Sequence, residues 1–62
     1  MRVIYGKEIE GQIEEVEQCI NNVKRIEFKW SVIDGTNLLV YTQDYEDPTW
    51  ICWENVYCID DK

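Results

Sequence analysis

The chain is 62 residues long, 45% hydrophobic and 13% aromatic, with thirteen acids against six bases and a formal charge of −7. It is too apolar for disorder and has room for one domain, near the lower limit for folding without disulfides, metal or a partner. So large an acidic excess argues against direct binding of nucleic acid or anionic membrane, because phosphate contacts need Lys and Arg.

Residues 1–6 run straight into charged sequence without the pattern of a signal peptide, and no apolar run is long enough to cross a bilayer. The expected location is the cytoplasm, where Cys19, Cys52 and Cys58 stay reduced. Their spacing fits no zinc site and the chain has no His, so neither metal nor cofactor is expected.

In chain order, residues 2–5 form a short β-prone run stopped by Gly6, read as an edge strand or an ordered tail. Ile9, Ile13, Val16, Ile20 and Val23 then recur at steps of four, three, four and three, which predicts an amphipathic helix over about 11–23. From 26 to 43 the period is two. Ile26, Phe28, Trp30 and Val32 alternate with Glu27, Lys29 and Ser31, Asp34-Gly35 marks a turn, and Leu38 to Thr42 return as the second strand of a hairpin. The spacing leaves the hairpin register open. Residues 44–48 read as an acidic loop closed by Pro48, 49–53 as a third strand, 54–55 as a turn, 56–59 as a fourth short strand, and 60–62 as a frayed end. The fold class expected is α+β: one amphipathic helix packed on a three- to four-stranded antiparallel sheet, an N-terminal helix followed by a β-meander. The helix face would bury Phe28, Trp30 and Val32. Apolar groups at consecutive positions in 38–41 and 50–53 would leave the other sheet face partly uncovered.

The acids cluster. On a helix Glu10, Glu14 and Glu17 would form one stripe, with carboxylates about 4.5–6 Å apart along the axis. Asp44, Glu46 and Asp47 form a second knot around Tyr45, the aromatic expected to be exposed. An array of carboxylates can stand in for nucleic-acid phosphates on a basic groove. The same pattern also arises on any solvated helix with Glu at its start and Lys24-Arg25 at its end.

Catalysis is not expected. The chain lacks a His base, a nucleophile motif and a Gly-rich phosphate loop. The expected function is a small non-enzymatic binding module. Through Glu10, Glu14, Glu17, Asp44, Tyr45, Glu46 and Asp47 it would dock on a basic, nucleic-acid-binding surface of a partner protein, as an inhibitor that mimics nucleic acid. The alternative is a homodimeric structural or accessory domain that pairs through its apolar sheet face, with charge serving only solubility. In size and charge the chain resembles inhibitors that bacteriophages and mobile elements encode against host nucleic-acid enzymes, some of which mimic DNA. The likeness is one of type, without a shared motif.

Overall fold

A computed structural model describes residues 1–61. Six strands follow one another: β1 (Arg2–Lys7), β2 (Val16–Ile20), β3 (Val23–Ser31), β4 (Gly35–Thr42), β5 (Thr49–Cys52) and β6 (Val56–Asp60), with a 3₁₀ turn at Trp53–Asn55 between the last two. They build two three-stranded antiparallel sheets, ordered β2-β1-β6 and β3-β4-β5. The chain crosses between the sheets twice. It first turns a corner at Asn21-Asn22, where Asn22 takes a φ of 59°, a left-handed conformation that Asn tolerates better than most residues. It returns through the 3₁₀ turn. The Val23 amide donates to the Met1 carbonyl at 3.0 Å and the Gln43 amide to the Asn22 carbonyl at 3.4 Å. The start of β1, the corner and the end of β4 therefore share one end of the molecule.

The central strands of the two sheets face each other. Val3 of β1 and Leu38 and Val40 of β4 lie at the middle of the core, joined by Val23 and Ile51 and flanked by Tyr5, Ile20, Ile26, Val56 and Ile59. In β4 the side chains alternate, so Leu38 and Val40 point inward while Leu39 lies between Glu27 and Trp50 on the outer face.

The expected α+β fold is thus corrected to all-β: among the described residues there is no α-helix. The segment 11–23 is instead a loop, strand β2, a corner and the first residue of β3. Lys7 pairs with Val16 and Val3 with Ile20, which makes β1 and β2 a hairpin. The apolar steps of four misled because four is even. It returns a residue to the same face of a strand as well as to nearly the same face of a helix. The steps of three fall across the loop and the corner, where neither period applies. Ile9 and Ile13, expected in the core, are exposed.

Four further expectations change. Trp30 is 68% exposed and does not belong to the core. The hairpin turn falls at 32–34, so Ser31 pairs with Gly35 and Phe28 with Leu38, and Gly35 supplies the positive φ (70°) where the return begins. Residues 2–5, expected at an edge or in a tail, are part of the centre strand of a sheet. Asp60, expected to fray, is held in β6 by Arg2; Lys62 lies outside the described residues.

Candidate partner-binding surfaces

Residues 8–15 form an exposed arm between β1 and β2. A turn shapes it, with the Gln12 amide donating to the Ile9 carbonyl at 3.0 Å. Its base is tethered where the Tyr57 hydroxyl, reaching from β6, donates to Glu15 Oε2 at 2.9 Å. The tether passes over Gly6. A Cβ there would strike the Tyr57 hydroxyl and the Glu15 carboxylate and come within 2.9 Å of the Tyr57 ring carbon that bears the hydroxyl. The hydrogen bond to Glu15, then partial burial, then the charges of Glu15 and Glu17 push the Tyr57 phenol above its ordinary range. Beyond the tether Glu8, Glu10 and Glu14 stand in solvent, and Ile13 among them is fully exposed.

Of the residues singled out in the sequence, Glu10 and Glu14 lie on this arm and Glu17 lies on β2 opposite Gly6. They do not form a helical stripe. Asp44, Tyr45, Glu46 and Asp47 occupy the exposed β4–β5 loop, with Tyr45 at 73% exposure. That loop begins where Gln43 bonds Asn22, whereas the arm leaves the far end of β1. The two acidic segments project from opposite ends of the strands.

The β3–β4 hairpin carries a third surface. On its outer face Arg25 pairs with Glu27 at 3.2 Å, Tyr41 donates to Glu27 at 3.1 Å, the Arg25 guanidinium lies 3.8 Å from the Tyr41 ring centre, and the Lys29 ammonium lies 5.2 Å from that of Trp50. Burial, then the bond to Glu27 and its charge, raise the Tyr41 phenol, and Arg25 opposes them. On the inner face Phe28 and Trp30 are exposed, although Leu38, the partner of Phe28, is completely buried. Cover from the other sheet reaches Val23 and Ile26 at the start of β3 but not Phe28 and Trp30 further along it. Trp53 reaches Phe28 edge-on, at 5.0 Å between ring centres. Val32 and Ile33 extend this apolar strip to the hairpin tip. The expected helix over Phe28, Trp30 and Val32 hid this exposed strip.

Two features offer possible chemistry. An open hollow of about 440 Å³ lies between the end of β1 and the β5–β6 connection, lined by Tyr5, Lys7, Glu8, Trp50, Glu54 and Asn55 among others. Cys19 and Cys58 both pair with Ile4, one on each side of β1. Two strand spacings, about 9–10 Å, separate them, beyond the reach of a disulfide. Among the described residues no three His, Cys, Asp or Glu side chains group to hold a metal ion. No helix among them is long and apolar enough to cross a membrane. No family model, curated protein or solved structure matches the chain.

Proposed function

We propose that the chain is a non-enzymatic protein-binding module whose acidic arm docks on a basic surface of a partner protein. The observation that carries this reading is Ile13, fully exposed at the centre of an arm bearing Glu8, Glu10, Glu14 and Glu15. A wholly exposed Ile contributes nothing to the fold of the free chain, but it gains by entering an apolar pocket. The surrounding carboxylates would steer the arm toward a cationic rim and fix its orientation. A surface that ordinarily holds phosphates has that chemistry, which makes a nucleic-acid-binding protein the partner the arm fits best and inhibition of that partner the expected effect.

Capture from the native host at low and high salt tests the proposal. Binding is expected to fall steeply with salt, to be lost in a Glu10→Lys, Glu14→Lys, Glu17→Lys triple variant, to weaken in Ile13→Asp, and to be displaced by duplex DNA. Binding that survives both the reversals and high salt would remove the acidic arm as the working surface.

A further inference from the structure

Strand β3 lies at the edge of its sheet, paired only with β4 among the described strands. It is nine residues long, so its free side offers a long row of backbone donors and acceptors. Charged residues usually blunt such an edge. On β3 they alternate in sign along one face, with Arg25, Glu27 and Lys29 at every second position, while Ile26, Phe28 and Trp30 occupy the other. An edge with that pattern is self-complementary. We propose that a second copy of this chain pairs antiparallel with β3 about a two-fold axis at Phe28, joining the two β3-β4-β5 sheets into one of six strands.

The register follows from the side chains. Antiparallel partners share a face, so a two-fold axis must pass through a residue position. Centred on Phe28, Glu27 meets Lys29 of the other copy and Lys29 meets its Glu27. On the opposite face Phe28 meets Phe28, and Ile26 meets Trp30 twice. Arg25 then faces Ser31. Centring on Glu27 would instead oppose two carboxylates and set Arg25 against Lys29, like charges in direct cross-strand contact. Centring on Ile26 would set Arg25 against Glu27 but place Lys24 against Phe28, leaving the aromatic strip uncovered. Only the Phe28 register both matches the charges and covers Phe28 (59% exposed) and Trp30. The pairing uses main-chain hydrogen bonds for affinity and the side-chain match for specificity. It goes beyond the proposed docking of the acidic arm, which leaves the molecule from the other sheet.

Sedimentation of the full chain across concentrations tests it, with circular dichroism to establish that each variant is folded. The wild type is expected to be dimeric. Glu27→Lys and Lys29→Glu should each weaken the dimer about tenfold, since each acts twice across the axis. The double variant E27K/K29E, which restores opposite charges in this register, should recover most of the loss. A chain that is monomeric at every concentration would overturn the proposal, as would a dimer indifferent to the single reversals or one that the double swap fails to rescue. Reversing Glu10, Glu14 and Glu17 should leave the dimer intact, so failure of the arm and failure of this interface are separately visible.

Discussion

At Gly6 a missing side chain is what holds the acidic arm in place. The Tyr57 phenol crosses the position a Cβ would take, and its hydroxyl fastens Glu15 at the arm's base. Gly6→Ala should therefore displace a rigid ring, costing about 1–3 kcal/mol of stability in urea unfolding. It should also increase amide exchange across 8–15. The tether has a pH limit set by the raised Tyr57 phenol. A group whose folded pKa is raised stabilises while it keeps its proton, so the contribution is full below about pH 10, the range of an unfolded phenol, and is lost as pH rises through the higher folded value. Glu15→Gln removes the largest cause's charge, and the Tyr57 midpoint followed by NMR should move down toward the ordinary value. An unchanged midpoint would show that burial rather than Glu15 holds it up.

Among the elements, burial contrasts sharply across one hairpin. Leu38 and Trp30 lie on the same face of the β3–β4 pair, yet Leu38 is fully covered and Trp30 is mostly in water. Leu38→Ala should cost about 2–5 kcal/mol, enough to unfold much of so small a domain. Trp30→Ala, measured in dilute protein, should stay within about 1 kcal/mol of the wild type. The edge strand β6 is fastened at its end, where Arg2 Nε and Nη2 form a fork on Asp60 at 2.8–3.0 Å. That pair is about one-third exposed. Arg2→Ala should thus change global stability little and be read chiefly as fraying of β6 amides in hydrogen exchange.

On the scale of the whole molecule, the core is small for the chain that surrounds it. Among the described residues five make its buried cluster, while Phe28, Trp30, Val32, Ile33, Trp50 and Trp53 remain at the surface. Domains of this size are commonly completed by a disulfide, a metal or another subunit. Pairing of β3 with a second copy would contribute apolar burial that a single chain does not achieve. Melting should then depend on concentration, with Tm rising by about 3–5 °C for each tenfold increase where the dimer forms. A melting temperature independent of concentration would mean that the small core suffices alone.

What the sequence determined was local. Alternation over 26–32, the Asp34-Gly35 signal and the acidic loop ending in Pro48 are short-range features, and the hairpin and the loop follow them. The clustering of eight of thirteen acids in 8–17 and 44–47 was likewise legible from composition along the chain. Tertiary structure decided which period the apolar residues of 9–23 obey, because a step of four serves a strand and a helix alike until a partner strand claims the backbone. That partner was β1, whose pairing with β2 and β6 spans residues from opposite ends of the chain. Once those pairings replaced a covering helix, Glu10, Glu14 and Glu17 lost their common stripe, the two acidic segments separated to opposite ends, and Trp30 lost its cover. Strand pairing made each of those choices, through the β1–β2 hairpin and through β6 from the far end of the chain, and pattern along a single sequence does not encode which strand a segment will meet.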